Sequence, residues 1–477
     1  MLFNSIEFLI FFPIVSALYF ALRWRARTWM LLLASTAFYM AFIPKYVLII
    51  YFTIVVDYFA GLLISKSEGK RRKAYLIASL IANVGALAVF KYWNFIALNM
   101  NGLLAFGGAS SHVPALDIIL PIGLSFHTFQ AMSYTIEVYR GKQEAERDPA
   151  VYALYVLYYP QLVAGPIERP QNILHQLKQE HTFDVDRVAH GLRRMLWGFF
   201  KKIVVADRLA VIVNAVYAHP ADFPGPALAL ATVFFAYQIY ADFSGYSDVA
   251  LGASEVMGVR LMTNFREPYT SRSVSEFWGR WHISLSSWFR DYVYIPLGGN
   301  RAGPVRRRMN LLVTFLLSGL WHGANWTYVI WGGLNGLFLV LERGANKKAA
   351  AHPPLWRWFT TFVLVTFAWI FFRAANVRDA WTVVTRLPRG WGSITSRESA
   401  VTLMHQMWIG PGRLAGTVVA LGVLVGADIW ARRRNADPVD LVRDLGAPLR
   451  WSVYYSVAAT LVLFGQYGHQ QFIYFQF

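Results

Sequence analysis

The chain has 477 residues, 56% hydrophobic, 16% aromatic and only 15% charged, with a mean hydropathy of +0.37; soluble domains carry about 25% charged residues, so the composition excludes disorder and points to a protein that spans the membrane many times. Lys and Arg number 45 against 27 Asp and Glu, a formal charge of +18, which in such a protein belongs to cytoplasmic loops and gives no reason to expect nucleic acid as a partner. There is no Cys, which excludes disulfides, thiolate nucleophiles, cysteine metal ligands and palmitoylation.

The first apolar run, Leu2 to Leu22, has no basic segment before it and no small-residue cleavage site after it, so it reads as a retained span. RWRAR at 23 to 27 follows and places that end in the cytoplasm and the N-terminus outside. Further runs at 29 to 43, 46 to 64, 76 to 98 and 117 to 139 are separated by the basic loops KSEGKRRK (66 to 73) and RGKQEAERD (140 to 148), whereas 99 to 116 carries no Lys or Arg. Alternating crossings agree with the charge of every one of these loops. The Tyr-rich stretch 150 to 164 is too short for a span and reads as re-entrant or interfacial. Spans at 199 to 218 and 227 to 250 are joined by HPADFPGP, and a polar, aromatic, cytoplasmic or interfacial segment over 258 to 310 contains Arg306, Arg307 and Arg308.

The run 311 to 341 is too long for one ordinary span, is broken by WHGANW, and is basic on both flanks (306 to 308, then Arg343, Lys347 and Lys348). If both flanks are cytoplasmic, it is a hairpin that bends inside the membrane, where irregular backbone must line a protein cavity. Spans at 356 to 373, 414 to 430 and 451 to 466, with ARRR at 431 to 434 between the last two, leave the tail 468 to 477 outside. The expected fold is all-α and polytopic, with about ten crossings plus two re-entrant pieces.

Of eleven histidines, His112, His175, His181, His190, His219, His352 and His405 fall in loops or interfacial pieces, where solvated or hydrogen-bonded His is usual. His127 lies inside a span and reads either as a cavity residue or as a packed structural His; His469 sits in the tail. His322 lies at the hairpin bend, beside Trp321 and near Asn325, in an otherwise apolar run. An imidazole there costs several kcal/mol unless paired, so it marks a polar cavity; it serves either as general base toward a hydroxyl or as a structural anchor. His282 lies in FWGRWHISLSSWFRDYVYIPLGGNR, where aromatic rings alternate with Arg280, Arg290, Asp291 and Arg301. That pattern suits an anionic ligand, and equally plain membrane anchoring. Phosphate-loop, GxSxG, HExxH and dinucleotide motifs are absent. The carboxylates in spans are Asp57, Glu137, Asp242, Asp248 and Asp428; Asp242 and Asp248 form either a cation path, as in a transporter or channel, or a structural clasp for Arg or Tyr partners. No two histidines stand at i, i+3 or i, i+4, and no metal is expected.

The segments MLFNSIEFLIFF at the start, LVAGPIERP (162 to 170), YADFSGYSDVALG (240 to 252), NFREPYTSRSVSEFWGRWHISLSSWFRDYVYIPLGGNR (264 to 301) and LLSGLWHGANWTYVIWGGLNG (316 to 336) together resemble the membrane-bound O-acyltransferase superfamily, in particular the bacterial branch with the alginate O-acetyltransferase membrane subunit. The resemblance covers nearly the whole chain. It implies a ring of helices around a central funnel, with His282 and His322 as the family's two histidines and His322 as the catalytic one. It also implies transfer of an acetyl group from a cytoplasmic thioester donor to an external acceptor. Acetyl-CoA is then the expected co-substrate, with no bound cofactor, its phosphates near Arg280, Arg290 and Arg301. Expected partners are membrane lipid, an extracytoplasmic acetyltransferase- or esterase-like acceptor protein and, indirectly, a polysaccharide such as alginate. The terminal FIYFQF is similar to an aromatic acyl-transfer motif of export systems in this superfamily, which makes Tyr474, flanked by Phe472 and Phe477, a candidate acyl carrier; a plain aromatic anchor is the other reading. D-alanyl export to teichoic acid uses the same scaffold and is the nearest alternative. Both termini are expected outside a bacterial inner membrane.

Overall fold

The computed structural model describes residues 1–108, 111–163, 165–301, 303–349, 353–466 and 472–473, with only the backbone described for 343–349 and 411. The described chain is helical, with no strand among the described residues. It forms two compact units, an N-terminal one of Met1–Met195 with Val249–Met262 and a C-terminal one of Leu196–Asp248 with Thr263–Phe477. Among the described residues five helical stretches are long and apolar enough to cross a membrane, namely Pro44–Ser65, Gly69–Phe106, Gly225–Val256, Pro354–Arg373 and Gly412–Arg434, and Ile6–Ala21 is a shorter apolar helix. The protein is therefore an all-α, multi-pass membrane protein.

The remaining expected spans are helical but shorter or more polar than the hydropathy pattern suggests. The run 117 to 139 becomes helical only at Leu124, after Gly123 at φ 75°, and its helix Leu124–Tyr139 buries His127, Gln130, Thr135 and Glu137. The run 199 to 218 opens with a π-helical segment, Phe200–Ala206, that carries two lysines, and continues as Asp207–Ala218. The expected re-entrant stretch contains two short, largely buried helices, Pro149–Leu157 and Tyr159–Leu162.

Polar clasps organise the N-terminal unit. Asp57 is fully buried and accepts hydrogen bonds from Ser79 Oγ (2.6 Å) and Asn83 Nδ2 (2.8 Å), the kind of satisfaction a buried carboxylate requires. Glu168, in the LVAGPIERP segment, accepts the backbone N–H of Met262 and the side-chain amide of Asn172, and burial pushes its carboxyl up to about 7.

In the C-terminal unit the run 311 to 341 is two packed helices with a break between them. Helices Pro304–His322 and Trp326–Ala349 meet at 323 to 325. Their approach is set by glycine: a Cβ on Gly319 would stand 2.2 Å from Tyr328 O, one on Gly332 2.2 Å from Phe315 O, and one on Gly323 2.1 Å from the Tyr328 ring. Small residues at a helix interface allow such backbone proximity. Asn325 starts the second helix by accepting the N–H of Thr327 (3.1 Å) and donates to Ala375 O (3.0 Å), which ties the bend to the chain after helix Pro354–Arg373. Gly332→Ala is expected to force the helices apart at a cost of about 1–3 kcal/mol, read as a lower thermal unfolding midpoint. Gly333→Ala, whose methyl would meet only Leu316 Cδ2 at 3.5 Å, should not lower it.

Candidate active site

His282 stands between helices Val274–Arg280 and Ile283–Phe289 with left-handed backbone, φ 42° and ψ 54°. A non-glycine residue is held there only when its surroundings over-determine it, at a cost of order 1–3 kcal/mol. Asn264 does the holding. Its backbone oxygen accepts the N–H of Ile283 (2.9 Å), and its Oδ1 accepts both the N–H and the Oγ–H of Ser284 (3.2 and 2.9 Å). The same Oδ1 lies 3.1 Å from His282 Nδ1. The Ser284 N–H can only donate, so the amide oxygen faces His282, and Nδ1 must carry the hydrogen. Burial pushes the His282 imidazole down to about 3, so the ring is neutral and presents its lone pair at Nε2. Such a ring suits accepting a hydrogen bond better than taking a proton outright.

His322 is the last residue of the first hairpin helix. Its ring lies 6.4 Å from that of His282, centroid to centroid, so both imidazoles can address one reacting group. Trp321 and Trp331 each pack against it at 5.0 Å and Phe372 at 5.3 Å. Trp281 and Trp369, both buried, extend this aromatic wall. Aromatic rings therefore line both histidines among the described residues.

Phe243 packs edge-on against His282 at 4.6 Å and lies 5.8 Å from Phe472 of the C-terminal tail. Phe472 and Ile473 are buried. The Phe472 ring lies 4.2 Å from Tyr246, and the Ile473 N–H donates to Asp242 Oδ2 (2.9 Å). Tyr474, the candidate carrier, lies outside the described residues, as do His469 and Phe477.

The remaining expected site residues separate into groups. Asp242 Oδ1 pairs with Lys202 (2.9 Å), which also binds Asp207 (2.9 Å), while Asp248 pairs with Lys201. Arg280 is engaged by Glu267 (3.3 Å) and Glu276 (3.1 Å), so its charge is largely answered within the protein. Arg290, paired with neighbouring Asp291 at 2.8 Å, and Arg301 remain exposed. His127 is buried in its helix, within the N-terminal unit.

Five contributors were not singled out from the sequence. Asn264 belongs to the NFREPYTS string but is an ordinary polar residue until folding brings it to position 282. Phe243 and Trp331 are two among many aromatic residues. Lys201 and Lys202, by contrast, carried a legible signal, because two adjacent lysines inside an apolar run demand buried partners.

Residues 143–378 match the model of the MBOAT, membrane-bound O-acyltransferase family. The chain is 41% identical over 386 residues to a probable alginate O-acetylase of Pseudomonas aeruginosa, covering 80% of this chain and 74% of that protein. It is 35% identical over 496 residues to a probable alginate O-acetylase of Pseudomonas putida, covering 100% of both. A peptidoglycan O-acetyltransferase of Helicobacter pylori is 34% identical over 422 residues, covering 80% of this chain and 79% of that protein.

Proposed function

Because the chain belongs to the membrane-bound O-acyltransferase family and is an acyltransferase, we propose that it moves an acetyl group from cytoplasmic acetyl-CoA across the bacterial inner membrane to an external acceptor that acetylates a polysaccharide. The observation that carries this reading is the pair of buried histidines 6.4 Å apart, one of them at the break of a helical hairpin, behind a wall of indole and phenyl rings. The probable alginate O-acetylase and the peptidoglycan O-acetyltransferase, 41% and 34% identical to this chain, support a polysaccharide as the final acceptor.

In this mechanism His322 takes the proton of the attacking hydroxyl as its oxygen bonds to the thioester carbonyl. The carbon–sulfur bond then breaks, the thiolate of the donor leaves, and the imidazolium returns a proton to it. His282, fixed by Asn264 with its lone pair on Nε2, lines the same centre as a neutral acceptor for an N–H group of the donor, while the single proton of the hydroxyl goes to His322. The aromatic enclosure keeps out water that would hydrolyse the thioester. Because the chain has no Cys, any acyl group it carries is an ester or a transient acyl-imidazole. Arg290 and Arg301, both exposed, supply charge for the phosphates of the donor. Both chain termini lie outside, where an acetyltransferase- or esterase-like partner takes the acetyl group from the tail.

Tyr474 is the carrier in this reading, supported by the burial of Phe472 and Ile473 beside the ring that touches His282. Tyr474→Phe removes only the hydroxyl; it is expected to abolish polymer acetylation, and full activity would remove the carrier role. Membranes given labelled acetyl-CoA should place the label in the polymer. Label entering only from a D-alanyl-loaded carrier protein would instead establish D-alanyl export.

A further inference from the structure

We infer that Asp242 is a positioning residue that docks the C-terminal tail beside the two histidines by binding the backbone of Ile473. The inference rests on the reading of Tyr474 as acyl carrier, since its value to the reaction is to hold the residue before that hydroxyl.

The charge balance around Lys202 carries the argument. Lys202, 3% exposed at its side chain, lies 2.9 Å from both Asp207 and Asp242, which are 2% and 4% exposed. One ammonium therefore faces two buried carboxylates. For a structural ion pair one carboxylate suffices, and burying a second costs free energy unless it gains further donors. Asp242 gains one from the tail: its Oδ1 takes the ammonium and its Oδ2 takes the Ile473 N–H at 2.9 Å. Tyr246, one turn further along the same helix, Gly225–Val256, repeats the arrangement: the Lys202 ammonium lies 5.6 Å from its ring centre and the Phe472 ring 4.2 Å from it. Two residues one turn apart thus hold both the ammonium and the tail. Two further details keep this latch close. Gly245 allows the helix backbone to approach 198 to 202, where a Cβ would stand 2.8 Å from Gly198 O and 3.1 Å from Lys202 N. Gln466, before the tail, donates its N–H to Ile203 O at 3.2 Å. The Asp242 bond uses the tail backbone, so it fixes position without reading the side chain, and Phe243, next in sequence, contacts both Phe472 and His282.

The cysteine-free chain makes a direct test simple. Ile473→Cys keeps the backbone N–H and should react slowly with a membrane-impermeant maleimide in the full-length protein. Adding Asp242→Ala leaves Lys202 with Asp207 as a one-to-one pair, and is expected to raise the labelling rate at least tenfold and to lower polymer acetylation at least tenfold. Ala231→Cys, buried in the same helix, must stay protected in the Asp242→Ala background, which shows that the helix is still folded. If that control becomes reactive, Asp242→Asn, which keeps one acceptor oxygen, replaces it, with a smaller expected rise in labelling. Slow labelling of Ile473→Cys without the Asp242 carboxylate overturns the inference, as does fast labelling with unchanged acetylation. Tyr474→Phe should leave the labelling slow; if that variant remains active, the carrier reading fails while the docking result still stands on the labelling rates alone.

Discussion

His322→Ala is expected to lower polymer acetylation by about 10²–10⁴-fold, the range a general base supplies, while the protein still inserts and behaves as wild type in detergent. The ring packs against Trp321, Trp331 and Phe372, so truncation leaves a cavity among aromatic rings, and the two hairpin helices remain held by Gly319 and Gly332. Loss of activity would therefore not follow from loss of the hairpin. His322→Gln separates the two roles of the imidazole: an amide can keep a hydrogen bond but cannot take a proton near neutral pH. If the Gln variant were active, His322 would be an anchor.

Lys202→Met is expected to be the most damaging single change to stability. It leaves Asp207 and Asp242 buried near one another with no cation, and removal of one partner from a buried ionic group costs about 3–5 kcal/mol. The measurement is the yield of folded protein and its thermal unfolding midpoint. Combining Lys202→Met with Asp207→Asn and Asp242→Asn removes the stranded charges and should restore much of the stability, without restoring acetylation if the tail needs the Asp242 carboxylate.

The hairpin was legible because three independent signals agree there: excess length, basic flanks on both sides, and WHGANW in the middle. The structure breaks the helix at 323 to 325, immediately after His322. His282 was legible only as one polar residue among rings, since its partner Asn264 lies 18 positions away and its left-handed backbone leaves no mark in composition. Span boundaries were read less well. Hydropathy joins 117 to 123 and 124 to 139 in one run, but Gly123 at φ 75° begins the helix, which buries His127, Gln130, Thr135 and Glu137. The run 199 to 218 was read as a plain span, whereas its π-helical opening presents Lys201 and Lys202 to Asp248 and Asp242. The partners of Arg280 were likewise not legible: carboxylates at 267 and 276, ordinary in the sequence, fold onto the guanidinium.

The central claim is that this chain moves an acetyl group across a membrane by chemistry at His322. It is tested most directly in sealed proteoliposomes, with labelled acetyl-CoA supplied on the cytoplasmic face and acetyl esters recovered from an acceptor on the other. Label on the far side from the wild-type chain, and none from His322→Ala inserted to the same level, is the expected result. Equal transfer by His322→Ala, or no acetyl turnover by the wild-type chain with its acceptor present, would contradict it.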